Sequence, residues 1–189
     1  VFSAAKESGV GMLVNAGSSS EYGPKDHPMR EDEPLAPNSY YAVGKAAQTL
    51  LGQHVARAEG LPIVTLRLFS IYGPFEEPGR FVPTVISNAL RGIDVPIADP
   101  HIARDFLYLP DAIEAFLLAA EKPELSGEII NVGSGEQSTL VDVYNAVIEK
   151  TGSNSRASFG TYEKRPFDTN VWVADTHKMR TLLGCAPRF

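Results

Sequence analysis

Three short apolar runs, set apart by stretches of helical periodicity, constrain this chain more than any other feature. Val10 to Ala16 (VGMLVNA), Ile63 to Phe69 (IVTLRLF) and Ile129 to Val132 read as buried strands. Between the first two, a helical pattern holds Tyr41, is capped by Asn38 or Ser39, and ends at Gly60 and Pro62. Downstream, the pattern predicts a short amphipathic helix over Thr84 to Arg91, a strand over Arg104 to Tyr108, and a helix capped by Asp111 over roughly Ala112 to Glu121. A helix near Leu140 to Lys150, a last strand over Val171 to Ala174 and a helix capped by Asp175 and stopped by Gly184 complete the series. Strands and helices alternate, which predicts the α/β class with mostly parallel pairing. The opening residues, Val1 to Gly9, read as the last turns of a helix stopped by Gly9, with no visible start. That pattern suggests the C-terminal part of something longer.

At 189 residues the chain can bury a real core, as one domain or one and a half. A net charge of −6 argues against a nucleic-acid or anionic-membrane partner but leaves room for a local basic pocket that holds a phosphate. No apolar run reaches the about 18 residues of a membrane span, and no basic-then-apolar leader opens the chain. The single cysteine, Cys185, has no internal partner, which fits reduced, cytoplasmic surroundings. No His/Cys/Asp spacing suggests a metal site, and the four histidines read as surface residues.

The chemistry points first to Tyr41-Ala42-Val43-Gly44-Lys45. Residues four apart share one helix face, so Tyr41 and Lys45 present a phenol and an ammonium to one point in space. The neighbouring Tyr40 has Gly44 at that spacing and lacks the ammonium. A free phenol has a pKa of about 10, and an adjacent positive charge favours its ionised form. Such a pair makes a tyrosine useful as an acid or base near neutral pH. Upstream, Ser18-Ser19-Ser20 follows the first strand, where open α/β sheets place ligand-contacting groups; the same serines also suit an ordinary loop. Arg67, inside the second strand, either has a buried partner or faces water at a strand edge.

Together these stretches resemble the extended short-chain dehydrogenase/reductase family, specifically its nucleotide-sugar epimerases and dehydratases. The resemblance covers nearly the whole chain. Ser18 to Gly23 resembles the family's serine segment, Tyr41 and Lys45 its Tyr-x-x-x-Lys, and Arg67 to Pro74 its strand-turn after the catalytic helix. Arg104 to Asp111, Asn131 to Gly135, Arg165-Pro166 and Leu183-Gly184 match later landmarks in the right order. The resemblance implies the C-terminal part of a doubly wound Rossmann-type parallel sheet with a smaller substrate-binding α/β lobe. Residues 1–75 would be the second half of the dinucleotide-binding domain and 76–189 mostly the substrate lobe, with 103–135 returning to the sheet. It implies Ser18, Tyr41 and Lys45 as catalytic groups: Tyr41 exchanges a sugar hydroxyl proton while hydride passes to or from nicotinamide, and Ser18 bonds the reacting oxygen. Ala16, Gly17, Phe69 and Ile71 would join Tyr41 and Lys45 around NAD or NADP. Ser19, Ser20, Ser70, Arg80, Phe81 and Val82 would touch a nucleotide-diphosphate sugar, with Arg104 and Arg165 facing its diphosphate. The resemblance also implies a homodimer through the Tyr-Lys helix.

Three departures accompany it. The Gly-rich dinucleotide fingerprint is absent, since Gly133-x-Gly135 comes far too late in the chain to be it. Ser70 stands where many relatives carry a substrate-touching asparagine. Dehydratases of the family place a glutamate two residues before the segment's tyrosine, where this chain has Ser20, with Glu21 one later. That favours an epimerase or ketoreductase over a dehydratase, and the leading expectation is a nucleotide-sugar epimerase acting at C4. The alternatives are a 4-keto-sugar reductase, a 4,6-dehydratase, or a non-catalytic nucleotide-sugar-binding module.

Overall fold

The structure, a computed structural model, describes residues 1–160 and 168–188. In chain order the elements are α1 (Phe2–Glu7), β1 (Leu13–Ser18), α2 (Tyr40–Glu59), β2 (Ile63–Leu68), β3 (Ser70–Tyr72), α3 (Phe81–Arg91) and β4 (Val95–Ile97). They continue with β5 (Ala103–Arg104), β6 (Phe106–Tyr108), α4 (Leu109–Ala120), β7 (Ile129–Val132), β8 (Ser138–Thr139), α5 (Leu140–Thr151) and β9 (Ala157–Phe159). The three runs that read as buried strands form one parallel sheet in the order β1-β2-β7. Their register sets Gly17 beside Arg67 and Arg67 beside Asn131, so the carboxyl ends of all three strands lie together.

Helices cover both faces of this sheet. On one side Val64, Leu66, Ile130 and Val132 pack with Ala112, Ala115 and Ala119 of α4 and with Met179 and Leu183. On the other side lies α2, whose buried stripe is mostly small residues: Ala42, Ala46, Thr49, Gly52 and Ala56, with Val55. Small side chains let the helix axis approach the strands closely, and Gly52 has Ile63 and Thr65 within van der Waals range of where a Cβ would stand. Ser39 caps α2 by accepting the Ala42 N–H at 3.1 Å, and Gly60 ends it. A second core, built from Val85, Val95 and Ile97 with Phe81, Leu140, Tyr144 and Val147, joins α3, α5, β4 and β9 into a separate lobe.

The structure moves several boundaries. β1 begins at Leu13, and Val10 is exposed ahead of it. α3 begins at Phe81 instead of Thr84, and α4 at Leu109, with Tyr108 in the cap position instead of Asp111. Both shifts have one cause: Pro83 and Pro110 fall in the first helical turn, where backbone N–H groups have no intrahelical acceptor and a proline loses nothing. The strand expected over Arg104 to Tyr108 divides at Asp105, because β5 pairs antiparallel with β8 while β6 pairs parallel with β3. Val171 to Ala174 is not a strand. Its N–H groups go to side chains, Trp172 to Gln137 and Ala174 to Asp105, and a single bridge ties Ala174 to Met29. The last helix is a π-type turn, Met179–Leu183, closed at Gly184. Asp175 does cap its approach, accepting the His177 N–H at 2.8 Å.

Candidate active site

A cavity of about 800 Å³ opens between the carboxyl ends of the strands and the smaller lobe, a volume in the range of small-molecule and cofactor sites. From the sheet side it is lined by Ala16, Gly17, Ser18, Ser19, Ser20, Tyr41, Lys45, Phe69, Ser70 and Ile71; from the lobe side by Arg80, Phe81, Val82 and Arg104. Every residue singled out in the sequence for catalysis, cofactor or substrate therefore borders one space, except Arg165, which lies outside the described residues.

Tyr41 and Lys45 reach the cavity because Ala42 and Ala46 are the buried residues beside them, which aims the 41/45 face at the end of β1. The Lys45 ammonium donates to the Ala16 carbonyl at 2.8 Å and lies 5.8 Å from the centre of the Tyr41 ring. The Tyr41 side chain is largely exposed to the cavity and solvent. Ser18 is also held. Its Oγ accepts the Ser20 N–H and pairs with the Ser20 hydroxyl at 2.8 Å, and its own N–H donates to Glu21 at 2.9 Å.

Beneath the serines is a buried polar network. Arg67 Nε donates to Glu21 Oε2 at 2.9 Å, and Thr49 donates to Glu21 Oε1 at 2.9 Å. The Arg67 guanidinium stacks over the Tyr22 ring at 4.6 Å, and the Tyr22 hydroxyl donates to Asn131 at 2.7 Å. Burial raises the Tyr22 phenol pKa well above its ordinary value. Arg67 thus has a buried partner. Gly17 follows from the same packing, since a Cβ there would stand 2.9 Å from Glu21 Oε1 and from Thr65 Cγ2. Glu21 is fully buried and is not among the residues lining the cavity.

On the lobe side, Arg104 donates to Asp168 at 2.8 Å and to the Ala103 carbonyl at 2.7 Å, with its guanidinium 5.5 Å from the centre of the Trp172 ring. The Trp172 indole N–H donates to Ser19 Oγ at 3.0 Å. This places Ser19 in a buried bond to the wall. Sequence reasoning missed Trp172, Asp168, Glu76 and Tyr72 as lining residues. Trp172 is the one tryptophan of the chain, seven positions past Arg165, and that rarity was the available signal. Asp105, next to Arg104, accepts from Ser134 N and Oγ, Gly135 N and Ala174 N. Burial raises its carboxyl pKa, and these donors draw it back.

The sequence pattern of the NAD dependent epimerase/dehydratase family matches residues 1–133. The chain belongs to that family. Among relatives of the family, the uncharacterized UDP-glucose epimerase YtcB of Bacillus subtilis (strain 168) is 30% identical over 97% of this chain and 58% of its own length. A dTDP-glucose 4,6-dehydratase of Streptomyces niveus is 30% identical over 98% of this chain and 55% of its own. The structure of MoeE5 in complex with UDP-glucose and NAD superposes with a TM-score of 0.91 at 31% identity, covering all of this chain and 63% of that one. MoeE5 in complex with UDP-glucuronic acid and NAD gives 0.91 at 30% identity. The chain therefore spans about three-fifths of the length of these epimerase/dehydratase relatives, and the α/β, Rossmann-type class is theirs.

Proposed function

We propose that the protein carrying this chain is an NAD(P)-dependent nucleotide-diphosphate-sugar epimerase that works at sugar C4 with Tyr41 as acid and base. The observation that supports this most is that Ser18, Tyr41 and Lys45 all line one cavity, with the Lys45 ammonium fixed on the Ala16 carbonyl. Ser18 would bond the reacting oxygen, and Tyr41 Oη would take and return its proton, work typically worth about 10²–10⁴-fold. Lys45 would hold the nicotinamide ribose. Arg104 would meet the diphosphate from the lobe side.

The residues present fit the nicotinamide–ribose end of the cofactor. They offer an ammonium, a phenol, a carbonyl and the apolar side chains of Leu68, Phe69 and Ile71 around one space. When bound there, NAD supplies the hydride acceptor and donor. A Gly-rich turn for the pyrophosphate is absent from these residues, so that end would be held by groups outside them.

The epimerase reading gains over the dehydratase reading from Glu21. The cavity position two before Tyr22 is Ser20, a hydroxyl bonded to Ser18, while the Glu21 carboxylate is spent on Arg67. A 4-keto-sugar reductase would use the same trio. The two differ in whether oxidised cofactor accumulates in step with product or is recycled. In the full-length protein Tyr41→Phe should lower kcat by at least about 100-fold and leave the nucleotide-sugar KM within a few-fold. Turnover within a few-fold of the parent would remove Tyr41 from the reaction.

A further inference from the structure

The loop between β3 and α3 carries a charged group with an unmet need. The Glu76 side chain lies in the cavity wall, 15% exposed. Its Oε1 accepts a long bond from Arg80 Nε at 3.5 Å, and its Oε2 is buried with no hydrogen-bond partner. Among the described residues Asp111 Oδ2 is the other buried side-chain oxygen in that state, and Asp111 does not line the cavity. The loop holds Glu76 in place from its own backbone. Glu76 N–H donates to the Gly73 carbonyl at 3.3 Å, and Thr84 Oγ1 donates to the Pro78 carbonyl at 3.2 Å. Phe75 has a φ of +68°, in the left-handed region a non-glycine residue rarely adopts, and its ring is fully exposed. The ring's packing therefore does not account for that conformation, whereas the residue that follows it is turned into the cavity.

A carboxylate accepts hydrogen bonds and donates none. A buried oxygen without a donor is unfavourable, and a turn of the carboxylate that brings it onto a ligand hydroxyl relieves it. A ligand carboxylate does the opposite, because it sets acceptor against acceptor and charge against like charge. Among the described residues, the two guanidinium groups that line the cavity do not offset this, since Arg80 contacts Glu76 itself and Arg104 would face the diphosphate. We propose that Glu76 is a specificity-determining residue that accepts a hydroxyl of a neutral nucleotide sugar and disfavours sugars bearing a carboxylate. The proposal rests on the nucleotide-sugar reading of the cavity. MoeE5, solved with both UDP-glucose and UDP-glucuronic acid, shows that a related chain takes either class.

The test uses the full-length protein loaded with its nicotinamide cofactor. Glucose and glucuronic acid forms of uridine and thymidine diphosphate sugars are titrated calorimetrically and assayed for turnover. The parent should bind the glucose form at least about tenfold more tightly than the glucuronic form. Glu76→Gln keeps the shape and removes the charge, and should cut that preference about fivefold or more, chiefly by tightening the glucuronic form. Glu76→Ala removes the acceptor and should weaken the glucose form several-fold, with a melting temperature no lower than the parent's. A preference for the glucuronic form, or a ratio that Glu76→Gln leaves unmoved, overturns the proposal and leaves the epimerase reading standing. The expected ratios without any turnover support Glu76 and sink the epimerase reading; a protein that binds neither form sinks both.

Discussion

Glu21 and Arg67 lie under the serine segment, both buried, and each needs the other. A buried charge left without its partner costs about 3–5 kcal/mol, whereas replacing both by apolar residues of similar size is often nearly neutral. Glu21→Gln should therefore destabilise the protein by about 3–5 kcal/mol in chemical denaturation. The double variant Glu21→Met with Arg67→Met should recover most of that loss. It should not recover turnover, because Glu21 Oε1 also accepts the Ser18 N–H and so fixes the backbone that carries the Ser18 hydroxyl. A double variant that regains both stability and activity would show that Glu21 does nothing for Ser18. The same residue shows why site and scaffold were hard to separate in the sequence. Glu21 stands one position from the residue that would be an acid in a dehydratase, and what removes it from the cavity is a partner 46 positions away.

At the scale of elements, helix α5 carries its start signal in the sequence. Thr139 Oγ1 accepts the Asp142 N–H at 3.1 Å while Asp142 Oδ2 accepts the Thr139 N–H at 2.8 Å, a reciprocal capping box. Thr139→Ala should cost about 1 kcal/mol in thermal or denaturant unfolding. Asp142 also titrates: the Thr139 hydroxyl and N–H hold its carboxyl below its usual value. A carboxyl lowered in the folded state stabilises above its unfolded pKa of about 4, and the contribution disappears as pH falls through the lowered folded value. Asp142→Asn should remove that part of the acid-side pH dependence of stability, measured as the difference between the two proteins from pH 7 down to pH 3. The apolar runs and the Ser39 and Gly60 ends of α2 made the sheet and its long helix legible in advance. So was the 41/45 face, because helix geometry alone fixes it. What was not legible depended on distant partners. The chain changes sheets at Asp105, residues 171–174 are held by Gln137 and Asp105 side chains, and Glu76 enters the cavity through a left-handed Phe75. No local pattern in the residues concerned carries that information.

Across the whole molecule, Asp105 ties together segments that the sequence keeps far apart. Its Oδ1 accepts from Ser134 N at 2.6 Å and Ser134 Oγ at 2.7 Å, and its Oδ2 from Gly135 N at 3.1 Å and Ala174 N at 3.0 Å. The turn after β7, the junction of β5 with β6 and the C-terminal segment thus converge on one carboxylate. Gly133 leaves no room beside it, for a Cβ would stand 2.7 Å from Oδ2. An amide at position 105 can satisfy one side of this arrangement, but its NH₂ must then face N–H donors on the other. Each buried donor left without an acceptor costs about 1–3 kcal/mol, so Asp105→Asn should lose at least about 2 kcal/mol of stability. The loss should reach the cavity, because Arg104 precedes Asp105 and Trp172 lies two residues from Ala174, and these two side chains meet in the cavity wall. The steady-state signature is a KM for nucleotide sugar that rises several-fold, with a smaller fall in kcat, since the Tyr41 and Lys45 side of the cavity is anchored separately on Ala16. If Asp105→Asn instead lowered kcat with KM unchanged, the tie would run to the sheet side of the cavity and not to the lobe.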